Sequence, residues 1–84
     1  MNAETIIAEI KKYIEKNILA EGVQVDAATN LKQAGIDSFS TVEIILFIER
    51  KFAVTIPDEK LIPDNFESLQ SLAAIVLELM PDAS

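Results

Sequence analysis

The sequence GIDSFSTVEIILFIERKF, residues 35–52, decides how this 84-residue chain folds. Asp37 stands where a helix N-cap is expected, because its carboxylate can accept hydrogen bonds from free backbone N–H groups. Ser40 followed by Glu43 forms a rival capping box three residues further on. Neither Gly nor Pro interrupts the run up to Phe52, so the sequence predicts a helix over residues 38–52.

The predicted helix is apolar on two opposite sides. A rotation of about 100° per residue groups one stripe that should face the core: Ile44, Ile45, Ile48 and Phe52. The opposite side groups Phe39, Val42 and Leu46, with Phe47 at the edge and Glu43, Glu49 and Arg50 as charged neighbours. An apolar patch with a charged rim is typical of a protein interface. Alternatively, the first loop or the last helix covers this side.

Two more long helices are predicted on either side of this one. The first runs over residues 3–19, where isoleucines recur at helical spacing and only Asn17 breaks the pattern. The last runs over 69–80, with Ser68 as its N-cap and Pro81 as its end. A long loop, residues 20–37, joins the first helix to the second.

The connection before the last helix contains two prolines. Pro57 can open a short helix over residues 58–62, which Pro63 ends, and a loop anchored by Phe66 follows. Residues 53–56 form a weak strand candidate without a pairing partner. We therefore expect an all-α fold, a small four-helix bundle of three longer helices and one short helix, in a single domain over residues 1–84.

The composition excludes several kinds of active site. Half of the residues are apolar, which is enough for one core, but the chain has no cysteine and no histidine. Disulfides, thiolate ligands and thiol nucleophiles are therefore excluded, and the commonest general base and metal ligand are absent. We expect no metal site and no catalytic residue, because Ser38 has no recognisable activating partner.

The net charge of −7 is unevenly distributed. Residues 1–36 hold five acids and four bases (−1), and residues 37–84 hold nine acids and three bases (−6). An acidic surface disfavours nucleic acid and anionic membranes and suits basic patches on proteins, although acidity also serves solubility alone. With no signal peptide and no apolar run near the roughly 20 residues of a membrane span, we expect a soluble, cytoplasmic monomer.

Residues 35–59, GIDSFSTVEIILFIERKFAVTIPDE, resemble the acyl carrier proteins. That family has a Gly-x-Asp-Ser-Leu signature, then a helix with a Val-Glu pair and a closing Phe, then an Ile-Pro-Asp element. The corresponding residues are Gly35, Asp37, Ser38, Val42, Glu43, Phe52, Ile56, Pro57 and Asp58. The order of the predicted elements fits the same family across nearly all 84 residues.

The resemblance implies that Ser38 receives 4′-phosphopantetheine from coenzyme A in a phosphodiester bond made by a phosphopantetheinyl transferase. The thiol of that arm then carries an acyl or aminoacyl group as a thioester. Asp37 is implied to help dock the transferase and its metal. A carrier of this kind is not an enzyme; it delivers its cargo to partner enzymes in lipid, polyketide or related biosynthesis.

The resemblance also implies that helix 38–52 docks the partner enzymes, which are an acyl- or aminoacyl-activating ligase and downstream acyltransferases or synthases. The residues assigned to partner binding are Phe39, Val42, Glu43, Leu46, Phe47 and Glu49. A fatty acyl cargo would lie among Ile44, Ile48, Ile56 and Leu61, whereas a small aminoacyl group would gain little from such burial.

Several residues depart from the fatty-acid carriers. Phe39 replaces the usual Leu, as in the D-alanyl carrier proteins, and Phe47 replaces a small residue. Arg50 and Lys51 interrupt a run that is usually acidic, and DNFESLQSLA (64–73) is similar to aminoacyl and peptidyl carriers. The sequence therefore indicates a specialised carrier whose cargo is D-alanine, another amino acid or an unusual acyl group. The alternative is an unmodified helical protein-interaction module.

Overall fold

The computed structural model describes residues 2–80 and contains three α-helices in that range. Helix α1 spans Ala3–Asn17, and its N-cap is Asn2, whose side chain accepts a hydrogen bond from the Thr5 N–H at 2.9 Å. The helix ends two residues before the predicted boundary, because the N–H groups of Ile18 and Leu19 both bond to the Ile14 carbonyl. That pattern closes the last turn and stops the ladder.

Helix α2 spans Ser38–Phe52, as the sequence predicted. Of the two predicted N-caps, the structure has Asp37, whose Oδ1 accepts a hydrogen bond from the Ser40 N–H at 2.8 Å. The rival start at Ser40 is wrong because Ser40 already lies inside the first turn. Ala53 ends the helix in the left-handed conformation, with φ 54° and ψ 45°.

Helix α3 spans Leu69–Leu79. Ser68 is its N-cap, as predicted, and its hydroxyl accepts a hydrogen bond from the Ser71 N–H at 3.2 Å. Pro81, which was predicted to end this helix, lies outside the described residues.

The connection between α2 and α3 differs from the prediction of a single short helix. Two 3₁₀ turns replace it, at Asp58–Lys60 and Pro63–Phe66. Pro63 begins the second turn instead of only ending the first, since its fixed φ suits the start of a helical turn. The expected fourth α-helix and the loop over 64–67 are thus corrected to two short turns.

No strand is present within residues 2–80, so the strand candidate at 53–56 is wrong. The side chains of residues 54–56 nevertheless alternate between core and solvent. Val54 and Ile56 are buried and Thr55 is exposed, which lets the segment contribute to the core without a pairing partner.

The core lies between the helices and under the long first loop. Its fully buried large side chains come from all three helices and from that loop: Ile6, Ile10, Ile14, Leu31, Ile44, Ile48, Leu69, Leu72 and Val76. Ile45, which was predicted to join them, is only half-buried. No helix among the described residues is long and apolar enough to cross a bilayer.

The long loop is fixed to the helices by hydrogen bonds. The Leu31 N–H donates to the Glu67 carbonyl and the Gln70 N–H donates to the Ala27 carbonyl, which ties the loop to the start of α3. On the other side, Glu15 of α1 accepts a hydrogen bond from the Val25 N–H at 2.9 Å. The loop therefore holds a defined path that ends at Asp37 and positions the first turn of α2.

Candidate functional site

Ser38 is the first residue of α2, and its side chain is exposed. The backbone that leads to Ser38 passes through Gly35, whose φ of 110° is a conformation that residues with a Cβ rarely adopt. Ile36 follows with its side chain buried and its N–H bonded to the Leu31 carbonyl at 3.0 Å. A buried anchor two residues before an exposed hydroxyl presents Ser38 on the surface in a fixed place.

Asp37 gives the site its local charge. The Ser40 backbone N–H, followed by the Ser40 side chain, lowers the pKa of the Asp37 carboxyl below its ordinary value. The carboxylate is therefore ionised at neutral pH and lies next to Ser38. The Thr41 hydroxyl donates to the Asp37 carbonyl at 2.9 Å, which holds the same turn from the other side.

A surface groove of about 860 Å³ adjoins Ser38. One wall is α2, the second is the end of the long loop, and the third is the segment that contains the second 3₁₀ turn. Its apolar lining is contributed mainly by Leu31, Ile36, Val42, Ile45, Leu61, Ile62, Pro63 and Phe66. Lys32, Asp64 and Glu67 supply charges, so the groove is apolar with a polar rim.

The α2 side away from the core is uncovered, as predicted. Phe39 is 75% exposed, Val42 54% and Leu46 49%. Glu43 lies beside them, half-buried. These three side chains form an apolar strip beside Ser38 that is open to solvent.

Phe47 and Glu49 are engaged within the fold instead of standing free on that strip. The Phe47 ring stacks on Tyr13 of α1, with centroids 4.1 Å apart and planes inclined by 14°. Glu49 Oε2 accepts a hydrogen bond from the Ile56 N–H at 2.9 Å. The assignment of these two residues to partner binding stays a prediction, and the structure gives each of them a contact inside the molecule.

The predicted cargo contacts are divided by the structure. Ile44, Ile48 and Ile56 are buried in the core, while Leu61 lines the groove beside Ser38. Sequence reasoning missed the neighbouring Ile62, which is 47% exposed. The available signal was the apolar residue immediately before Pro63, since a proline favours an extended backbone in the residue that precedes it.

Comparisons with known proteins agree with this geometry. Residues 6–76 match the family described as "Phosphopantetheine attachment site". The chain is 33% identical over 79 residues to aminoacyl carrier protein 1 of Bradyrhizobium diazoefficiens, with 94% of this chain and 86% of that protein covered.

Two solved structures are similar to the fold. One is a chain of the crystal structure of the Bradyrhizobium japonicum glycine:carrier protein ligase complexed with its cognate carrier protein and an analogue of glycyl adenylate. The TM-score is 0.73 and the identity 32%, with 90% of this chain and 96% of that chain covered. The other is an acyl carrier protein from Thermotoga maritima, with a TM-score of 0.75 and 23% identity over all of this chain and 96% of that chain.

The fold and the matched region place the chain among the carrier proteins, which hold their cargo on a covalent group. The chain belongs to the phosphopantetheine-attachment family, and its cofactor is covalent 4′-phosphopantetheine.

Proposed function

We propose that this protein is an aminoacyl carrier whose 4′-phosphopantetheine arm is attached to Ser38. The observation that carries the proposal is the position of Ser38, which is an exposed hydroxyl at a helix N-terminus beside a groove. Attachment breaks the pyrophosphate bond of coenzyme A, forms a phosphodiester at the serine oxygen and releases adenosine 3′,5′-bisphosphate, while a base of the transferase takes the serine proton. The thiol of the arm supplies the thioester chemistry.

The first turn of α2 fits such a group. Backbone N–H groups and the helix dipole favour negative charge at this end, so a phosphodiester on Ser38 meets a favourable field. The chain has no histidine or cysteine that could activate the hydroxyl. A transferase must therefore supply the base, and Asp37, ionised next to Ser38, is placed to contact that enzyme or its metal ion.

An aminoacyl cargo is supported by the relatives and by the packing. One relative is named an aminoacyl carrier protein, and one similar chain comes from a complex with a glycine:carrier protein ligase. Ile44 and Ile48, where a fatty acyl chain was expected to lie, are fully packed in the core. The groove beside Ser38 is open at the surface, where a small polar cargo needs no burial.

The proposed partner-binding surface is the strip of Phe39, Val42 and Leu46, with Glu43 at its rim. A cognate ligase would cover these apolar side chains and place basic groups opposite the acidic ones. A carrier must leave each partner quickly to pass its cargo on, so a small interface of this kind suits transient contacts. Phe47 and Glu49 border the strip and support it from inside the fold.

Two steps test this function. The unmodified protein is incubated with coenzyme A, Mg²⁺ and a broad-specificity phosphopantetheinyl transferase, and its intact mass and modified residue are determined. We expect one phosphopantetheine on Ser38, none on Ser38→Ala, and normal modification of Ser40→Ala, which removes another serine from the same turn. A folded wild-type protein that stays unmodified would favour the unmodified interaction module.

The second step identifies the class of cargo. The modified protein is offered to the B. japonicum glycine:carrier protein ligase with glycine and ATP, and separately to an acyl-carrier synthetase with a long-chain fatty acid. We expect the mass of an aminoacyl thioester in the first reaction and little acylation in the second. Acylation in the second reaction alone would assign the protein to lipid or polyketide chemistry instead.

A further inference from the structure

Glu49 joins the end of α2 to the segment that follows it. Its Oε2 accepts a hydrogen bond from the Ile56 N–H at 2.9 Å, in a partly buried position. Among residues 2–80, this is the one side-chain hydrogen bond between α2 and residues 53–66. Loss of this bond would leave the partly buried Ile56 N–H without an acceptor, which costs more than the loss of an exposed hydrogen bond.

We infer that Glu49 is a positioning residue for the Ser38 groove rather than a contact for partner proteins. It holds the segment after α2 in place, and this segment leads into the groove wall at Leu61 and Ile62. The inference rests on the proposed function, because it concerns the groove beside the attachment serine.

A short chain of contacts connects Ile56 to that wall. The Ile56 side chain is 5% exposed, so its position is fixed in the core. The next residue, Pro57, accepts a hydrogen bond from the Lys60 N–H at 2.9 Å, which sets the first 3₁₀ turn. The Asn65 side chain then donates to the Lys60 carbonyl at 2.8 Å and joins the first turn to the second. A shift at Ile56 is therefore passed on to the wall.

The other charged tether of the wall is weaker. Lys60 pairs with Glu78 of α3 at 2.8 Å, but the two side chains are 30% and 58% exposed. Exposed ion pairs contribute little, because water and salt screen them. The partly buried bond to Glu49 therefore accounts for more of the fixed position of the wall.

Glu49 lies at the border between the exposed strip and the core side of α2. At about 100° per residue, it lies between Val42 of the strip and the half-buried Ile45. The Ile56 N–H needs an acceptor oxygen and not a negative charge. A glutamine at position 49 should therefore preserve the arrangement, whereas a partner contact that depends on charge would be lost.

Amide hydrogen exchange in the unmodified protein tests the contact without any partner. In Glu49→Ala, the Ile56 amide should exchange about ten times faster, and the Leu61 and Asn65 amides should also lose protection. In Glu49→Gln, all three should stay near the wild-type rates. Glu43→Ala is the matched control on the same helix and should change none of them. Unchanged Leu61 and Asn65 amides in Glu49→Ala would overturn the inference.

A second measurement examines the groove itself. Ser38 is labelled by a transferase with coenzyme A that carries an environment-sensitive fluorophore, and the emission maximum is recorded. Emission should move toward that of the free dye in Glu49→Ala and match wild type in Glu49→Gln and Glu43→Ala. If the emission maximum moved equally far toward the free dye in Glu49→Ala and Glu49→Gln, the charge of Glu49 would matter, contrary to the inference. Failure of wild type to accept the label would count against the proposed function, and amide exchange would still decide the role of Glu49.

Discussion

Tyr13 and Phe47 stack face to face across the boundary between α1 and α2, with ring centroids 4.1 Å apart. The pair borders a second surface groove, of about 420 Å³, together with Leu46 and Arg50. Phe47 therefore has a packing role that Phe39, 75% exposed on the same helix, does not have. The two aromatic residues, which the sequence placed in one partner-binding group, should respond differently to substitution.

Phe47→Ala should lower the free energy of unfolding by about 2 kcal/mol, because it removes a half-buried ring and its stacking contact with Tyr13. Phe39→Ala should change it by less than about 0.5 kcal/mol, because its ring faces solvent. Urea unfolding of each variant measures both values. Loading by the cognate ligase should fall in Phe39→Ala without any loss of stability.

A double-mutant cycle isolates the stacking itself. Tyr13→Ala, Phe47→Ala and the double variant should give a coupling energy of about 1 kcal/mol. Additive effects would mean that the two rings pack independently. If Phe39→Ala lowered the free energy of unfolding as much as Phe47→Ala does, the Phe39 ring would belong to the core and not to the exposed strip.

Asp37 combines a capping role with a charge, and two substitutions separate them. Asp37→Ala should destabilise the protein by about 1 kcal/mol through loss of the N-cap, whereas Asp37→Asn should keep the cap. Both should slow the attachment of phosphopantetheine, because both remove the carboxylate next to Ser38. Thermal melting together with the initial rate of modification measures the two effects. Normal modification of Asp37→Asn would show that the charge has no role in the attachment.

The positions of the three helices could be predicted because the signals that start them are local. Asp37 and Ser68 each bond to an N–H within their own first turn, so the sequence around them contains the whole interaction. Helical spacing also grouped the apolar residues of the exposed strip of α2, and it left open whether a loop or helix covers them. The C-terminal ends of the helices were harder to predict. Helix α1 ends where two N–H groups share the Ile14 carbonyl, and no residue type in the sequence indicates this.

The region between α2 and α3 could not be predicted for the opposite reason. The path of residues 53–66 depends on contacts that reach beyond one helical turn, such as Glu49 with Ile56 and Lys60 with Glu78. One wall of the Ser38 groove belongs to this region. The attachment serine could therefore be read from the sequence, and the shape of the groove beside it could not.

The Glu15 carboxylate should make stability depend on pH. Lys11, and then the Val25 N–H, lower its pKa below the ordinary value of 4.5. Since the pKa of Glu15 is lower in the folded state, its stabilising contribution is fully present above pH 4.5. That contribution is lost as the pH falls through the pKa of Glu15 in the folded protein. Glu15→Gln should therefore be less stable than wild type at neutral pH, and the difference should shrink below pH 4.5.

Urea unfolding of wild type and Glu15→Gln on both sides of that pH measures the effect. Lys11→Met provides the control, because it removes the largest cause of the shift. When Lys11 is already replaced by Met, Glu15→Gln should lower the free energy of unfolding at neutral pH by less than it does in the wild-type protein. A difference between wild type and Glu15→Gln that does not vary with pH would contradict the assignment.

Ala53 adopts a conformation that favours glycine. It ends α2 with φ 54° and ψ 45°, in the left-handed region that costs a residue with a Cβ roughly 1–2 kcal/mol. Ala53→Gly should therefore raise the free energy of unfolding by about 0.5–1 kcal/mol, after allowance for the greater freedom of glycine in the unfolded chain. Ala74→Gly, at an exposed position inside α3, is the matched control and should lower it by about 1 kcal/mol. Urea unfolding of both variants shows whether each change raises or lowers the free energy of unfolding. A destabilised Ala53→Gly would mean that the backbone at the end of α2 has another conformation.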